Sequence, residues 1–243
     1  LPFYRDWEES TEEMNREFTS RGTDFLCVPC DLTSRQETEK LLDKTRKYYG
    51  GLHYLVNNIE RGGMPIVHGS YFKGVNRDQW NLEFDTTIKA KWNLFQFSLD
   101  LIKESGGGSV TNISSIAAVT GRSGPVSYLF NDGYSAANRS IQLLTETWSK
   151  QAPPEIRVNE VMLGLIDGRH AEKTRGWSLL SEQQKSEIIS HTLLKRTGKP
   201  EEVAATVFFL AVEAHYVTGS CLRVDGGFCL GNAPVHSMPD GIL

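Results

Sequence analysis

An open, doubly wound α/β domain, with a parallel sheet and helices on both faces, is the fold class the sequence predicts. Two observations lead there. Short apolar runs rich in β-branched residues alternate with longer segments of helical periodicity, and every strand candidate has a helix in front of it. A third observation concerns size: 243 residues can bury a sizeable core in one such domain without disulfides or metal. A single domain over residues 1–243 is therefore expected.

Taken in chain order, a helix over 8–21 leads to a strand at FLCVPC (25–30), and a helix over 34–49 leads to LHYLVNN (52–58). Ser34 suits the cap of that second helix because a polar first turn containing Glu37 follows. A long helix over 76–104 is stopped by Gly106 to Gly108 before the strand SVTNIS (109–114). Residues 134–150 and the strand IRVNEVML (156–163) follow, and then a helix near 181–193. Pro200, Glu201 and Glu202 open a helix at its first turn, running to 213 and preceding YVTGSCLRV (216–224). The longest irregular stretches, 59–75 and 164–180, both follow strands, where ligand-contacting loops of open α/β sheets lie.

Composition removes several function classes. A formal net charge of −4 without runs of like charge offers no field for a nucleic-acid backbone. No apolar stretch approaches the ~20 residues of a membrane helix, so the chain reads as soluble and cytoplasmic, with neither nucleic acid nor membrane as partner. Four cysteines suit a reducing compartment. Cys27 and Cys30 form a C-x-x-C, but on a strand residues three apart point to opposite faces, so they are expected as buried strand cysteines. The six histidines show no ligand spacing, and no metal is expected.

Read in order, the strand ends spell a family. CDLTS (30–34), LVNN (55–58), VTNISS (110–115), YSAAN (134–138), RVNEV (157–161), KRTGKPEEVAATVFFLA and YVTGSCLRVDGG resemble the short-chain dehydrogenase/reductase family, of the 3-oxoacyl-carrier-protein reductase type. The resemblance runs from about residue 8 to residue 228 and implies a Rossmann-like fold. It also implies an NAD(P) cofactor and a site in which a serine orients the reacting oxygen, a tyrosine is the general acid or base, and a lysine one turn later binds the nicotinamide ribose and lowers the tyrosine pKa. Ser115 and Tyr134 match the serine and tyrosine. Asp31 matches a position near the adenine, or is a routine cap ending a strand, and Asn57 matches the first asparagine of N-N-A-G.

The departures are as informative as the matches. The glycine-rich turn whose following helix holds the cofactor pyrophosphate is not found. Ile59 and Glu60 stand where the family has Ala-Gly, Leu163 precedes Gly164 where it has Pro-Gly, and Thr87 replaces its asparagine in the long central helix. Asn138 replaces the lysine. A free tyrosine titrates near pH 10, and a cation ~4 Å away at an effective dielectric of ~20 favours the phenolate by ~4 kcal/mol, about three pKa units. A neutral amide supplies none of this. The family spaces its serine and tyrosine more tightly than Ser115 and Tyr134, and Tyr128 would fit that spacing, but Asp132 would then follow one turn on; either register lacks the lysine. We prefer Tyr134, because YSAAN opens the amphipathic helix, which makes GPVSYLFNDG an insertion.

The family's first two strands have no counterpart here. FLCVPC must then pair directly with LHYLVNN or leave unpaired backbone groups in the core, each costing on the order of 1–3 kcal/mol. Alternatively an upstream segment belongs to the native chain, which the complete helix from Trp7 to Gly22 favours, so the domain is expected to be N-terminally incomplete.

The resemblance and its departures together imply a catalytically degenerate subunit that binds no cofactor itself and assembles, in a heterotetramer, with an active paralogue carrying NAD(P). Paired long helices and the final strand, which serve as tetramer surfaces in the family, are kept. The alternatives are an active NAD(P)-dependent 3-hydroxyacyl or 3-oxoacyl thioester oxidoreductase, and a nucleotide- or redox-sensing regulator on the same fold.

Overall fold

The computed structural model describes residues 2–59, 77–167, 177, 180–239 and 241. Helix α1 (Pro2–Ser20) comes first, and α2 (Arg35–Tyr49) starts where Ser34 Oγ accepts a hydrogen bond from Glu37 N. Gly50, at φ +81°, closes α2 in the left-handed conformation that favours glycine. Strand β1 (Tyr54–Asn57) follows. The long helix has three parts: α3 (Arg77–Phe84), one π-helical turn (Asp85–Lys89) and α4 (Ala90–Glu104). Its end is read correctly from the sequence, since Gly106 and Gly107 take φ +96° and +98° before β2 (Gly108–Ser115).

A short α5 (Ala117–Thr120) leads through a 3₁₀ turn (Gly124–Val126) to α6 (Asp132–Gln151), and β3 (Ile156–Leu163) comes next. Helix α7 (Glu182–His191) begins with a capping box of Ser181 and Gln184. Helix α8 (Pro200–Phe208) continues into a second π-helical turn (Phe209–Glu213), ahead of β4 (Cys221–Val224).

The strands form one parallel sheet in the order β1-β2-β3-β4. Alternation divides the core between its two faces. On one, Phe95 and Ile102 of α4 and Trp148 of α6 pack on Val110, Ile156 and Val158. On the other, Leu210 and Ala214 pack on Ile113 and Val161. A third cluster of Ile116, Val126, Met162, Trp177, Ile188 and Phe228 lies where β2 and β3 end, joining the β2–α6 connection to α7.

Three expectations need correction. FLCVPC is not a strand: residues 25–30 pair with nothing in a ladder. It neither pairs with LHYLVNN nor lies in the core: its residues are exposed or half-buried, so the burial penalty does not arise. Leu26 is 39% exposed, and Phe25 stacks on Phe18 of α1 with ring centroids 5.1 Å apart. The cysteines follow the segment outward: Cys27 is exposed and Cys30 half-buried. Finally, the last strand is shorter than 216–224. Tyr216 is wholly exposed, and ahead of Cys221 side chains share the bonding with the backbone: Thr218 Oγ1 accepts from Val158 N at 3.0 Å, Asn159 donates to Val217 O at 2.8 Å and accepts from Ser220 N at 3.1 Å, while Gly219 N donates to Val158 O at 2.7 Å and Glu160 N to Ser220 O at 2.8 Å.

Candidate functional site

Because all four strands are parallel, their C-terminal ends share one edge of the sheet, where ligands of open α/β folds bind. Ser115 is the last residue of β2, in register with Leu163 at the end of β3. It is nearly buried, and its Oγ accepts a hydrogen bond from Ala117 N at 3.2 Å. Tyr134 lies in the first turn of α6. Asn131 fixes that turn: its Oδ1 accepts from Tyr134 N at 2.6 Å, and its Nδ2 donates to Glu83 Oε1 of α3 at 3.0 Å. Tyr128 lies before the helix and is 57% exposed, so of the two tyrosines only Tyr134 belongs to the helix.

Asn138 sits one turn after Tyr134, buried to 3% exposure, and its Nδ2 donates to the Tyr134 backbone oxygen at 3.0 Å. The side chain thus turns back along its own helix. Thr87 occupies the π-helical turn against which α6 packs, and its buried Oγ1 has no hydrogen-bond partner. Asn57 is fully buried; its Nδ2 donates to Asn112 Oδ1 at 2.8 Å, and Asn112 Nδ2 donates to Thr145 Oγ1 at 2.9 Å, a tie from β1 through β2 to α6 made between side chains. The burial of Asn112 and Asn138 also removes both N-x-S sequences as glycosylation acceptors. Asp31 stands apart. It is exposed, and its Oδ1 accepts from Thr33 N and Thr33 Oγ1 at 2.9 and 2.7 Å, the bonding of a turn residue ahead of α2.

Two residues at this edge were not singled out by sequence. Lys91 of α4 is 1% exposed and its Nζ donates to Ile59 O, just beyond β1, at 2.7 Å. Glu160, fully buried in β3, bonds Ser114 Oγ. The available signal was a charge inside an apolar pattern, AKWNLF for the first and VNEVML for the second. Burial holds the Cys221 thiol up at about 12 and that of Cys229 at about 11, which leaves neither as a nucleophile near neutrality.

Gly164 closes the edge against β4. A Cβ there would lie 2.6 Å from Asp225 Cα, a backbone atom that cannot swing aside, while Gly164 N donates to Val224 O at 2.9 Å. Gly164→Ala should therefore cost about 1–3 kcal/mol as an overpacked position, read as a lower urea midpoint at unchanged m.

At the end of β1, at the edge where ligands of open α/β sheets bind, the ammonium of Lys91 holds the Ile59 carbonyl. Glu60 lies outside the described residues. Among the described residues no group of His, Cys, Asp or Glu suits a metal ion; His68 and His170 fall outside them.

A family model described as enoyl-(acyl carrier protein) reductase matches residues 3–229. The chain is a short-chain dehydrogenase/reductase. Curated members of this family that it resembles include 3-oxoacyl-(acyl-carrier-protein) reductase FabG of Thermotoga maritima, 30% identical over 202 residues, covering 82% of this chain and 75% of that protein. The 7alpha-hydroxysteroid dehydrogenase of Bacteroides fragilis is 28% identical over 232 residues, 94% of this chain and 84% of the relative. Among solved structures, the ligand-free aldohexose dehydrogenase of Thermoplasma acidophilum superposes with a TM-score of 0.67 at 26% identity, over 87% of this chain and 81% of the other. Short-chain dehydrogenase/reductases are oxidoreductases that bind NAD(P), and this chain shares their parallel sheet. Among the described residues no helix is long and apolar enough to cross a membrane.

Proposed function

We propose that this chain is a catalytically degenerate short-chain dehydrogenase/reductase subunit that binds no dinucleotide and stabilises an active paralogue carrying NAD(P) in a hetero-oligomer. The observation that carries the reading is Asn138: where a lysine would activate Tyr134, a neutral amide is buried and bonded to the Tyr134 backbone oxygen. Two further features support it. Thr87 stands where the family carries an asparagine, and large apolar side chains remain on the elements that would meet a partner. Trp92 of α4, Leu143 of α6, Phe208 of α8 and Leu222 of β4 are 45%, 65%, 54% and 40% exposed. As the candidate complex we propose the two-subunit 2-(hydroxy(phenyl)methyl)succinyl-CoA dehydrogenase of anaerobic toluene degradation, one subunit of which looks like an inactive family member.

A second reading is favoured by Lys91. A buried ammonium at the C-terminal edge of the sheet offers a replacement cation, and an active 3-hydroxyacyl or 3-oxoacyl thioester oxidoreductase would use it. Purification from the native source separates the two. The expected result is a hetero-oligomer whose second component is an active family member, and no turnover of acyl-CoA thioesters with NAD(P) by this chain alone. A homomer, or turnover by the isolated chain that Tyr134→Phe abolishes, would overturn the proposal.

A further inference from the structure

In an open parallel sheet the loops that follow the strands border the place where a ligand lies, and here the loops after β2 and β3 close on each other. From the connection after β2 come Val126, which has no exposure, and Leu129 and Phe130, both half-buried. Leu165 after β3, Trp177, and Ile188 of α7 meet them in one apolar cluster. The 3₁₀ turn that carries Val126 packs directly on α7. Tyr128, on the same connection, is 57% exposed, so the segment lies at the surface and turns Val126, Leu129 and Phe130 inward.

The serine and the tyrosine at this edge are both engaged by the connection. The Phe130 ring lies beside that of Tyr134, with centroids 5.9 Å apart and planes inclined by 35°. Ser115 turns its Oγ to the start of the connection, where it accepts from Ala117 N at 3.2 Å, and only 8% of the residue is exposed. Val126, Leu129 and Phe130 all belong to GPVSYLFNDG, the stretch that spaces Ser115 and Tyr134 more widely than the family does. An apolar group approaching Tyr134 from the side of the cluster would have to displace Phe130 and return its ring to water. As part of the chain, that ring competes at an effective concentration on the order of millimolar or more.

We propose that the β2–α6 connection is a built-in plug: Phe130, backed by Val126 and Leu129, stands against Tyr134 where the apolar part of a substrate would lie, and shuts out ligands of that kind. The inference rests on the degenerate-subunit reading and adds a steric reason to the electrostatic one at Asn138. The class of ligand excluded follows from the two groups that the plug covers. An aromatic alcohol or ketone would put its ring in the place of Phe130 and its oxygen within reach of the Tyr134 hydroxyl.

The test measures binding of benzyl alcohol to the whole protein by calorimetry, with the Tyr134 ring resonances reporting where it binds. Phe130→Ala should bind the alcohol at least about tenfold more tightly than the parent, and its Tyr134 resonances should shift on binding. Adding Tyr134→Phe should weaken that binding about two- to tenfold, the loss of one hydrogen bond. Ile188→Ala opens the same cluster from α7, and there the alcohol should leave Tyr134 unmoved. Should Phe130→Ala not fold, the parent alone still decides: resonances of Tyr134 that shift with benzyl alcohol would show an open site and overturn the plug, and unmoved ones support it. Binding to the parent as tight as to Phe130→Ala, a gain that Tyr134→Phe leaves intact, or an equal shift in Ile188→Ala would overturn the plug and leave the degenerate-subunit reading standing. Turnover of acyl-CoA thioesters with NAD(P) by the parent would overturn that reading, and the plug with it.

Discussion

Replacing Trp148 with alanine should lower the unfolding free energy by about 3–5 kcal/mol. Trp148 is 2% exposed and lies flat on Phe95, with ring centroids 4.5 Å apart and planes 8° from parallel. The pair joins α6 to α4 over Val110 of β2 and Val158 of β3, so the indole is shared by two helices and two strands. A cavity there cannot collapse easily, because each wall is held by its own ladder or helix and the stacking with Phe95 goes as well. For a chain of this size the loss corresponds to a melting temperature lower by roughly 6–20 °C. Trp148→Phe, which leaves a ring to stack, should cost clearly less. Equal losses in the two variants would mean that neither the retained ring nor its volume contributes, and would overturn this account of the stacked pair.

Periodicity and punctuation made the helices legible, with α4 and α6 each burying one face. Ser34 and Glu37 fix the start of α2, Pro200 opens α8, and Gly106 with Gly107 ends α4. Central strands were legible for the complementary reason. In IRVNEVML both faces are covered, so apolar residues (Ile156, Val158, Val161, Met162 and Leu163) fall on both of them, and the run pairs from Ile156 to Leu163. Legibility failed where a strand depends on a neighbour. FLCVPC has the composition of a strand, yet composition supplies no ladder partner, and without one the segment lies open at the surface. YVTGSCLRV shows a milder form of the same problem, since ahead of Cys221 the side chains of Asn159 and Thr218 share the bonding with the backbone of Gly219 and Ser220. Neither π-helical turn left a sequence signal, although one of them carries Thr87.

The site divides in a similar way. Ser115, Tyr134 and Asn138 were legible because a motif fixes residue type and spacing together. Asp31 was ambiguous in sequence, and its bonds to Thr33 give it a local structural task. Lys91 and Glu160 were passed over because a charge within an apolar run is ordinarily a solvated face. Only the packing shows that these two side chains turn inward.

In the proposed complex, Tyr134→Phe in this chain should leave turnover within about twofold, whereas the matching substitution in the proposed active partner should cost about 10²–10⁴-fold, the usual contribution of general acid–base catalysis. The substitution removes one hydroxyl and little else. The ring remains beside Phe130, 5.9 Å between centroids, and the backbone bonds at this position are kept: Tyr134 N to Asn131 Oδ1, and Tyr134 O from Asn138 Nδ2. Urea unfolding of the same variant, measured beside turnover, separates an effect on structure from one on chemistry. With Asn138 neutral and committed to the backbone, the phenol has no cation on its own helix turn to draw off its proton. A tenfold or larger loss of turnover in the complex would show that Tyr134 exchanges a proton with substrate despite its neighbour, and would move the assignment to the active thioester oxidoreductase, with Lys91 as the cation to test next.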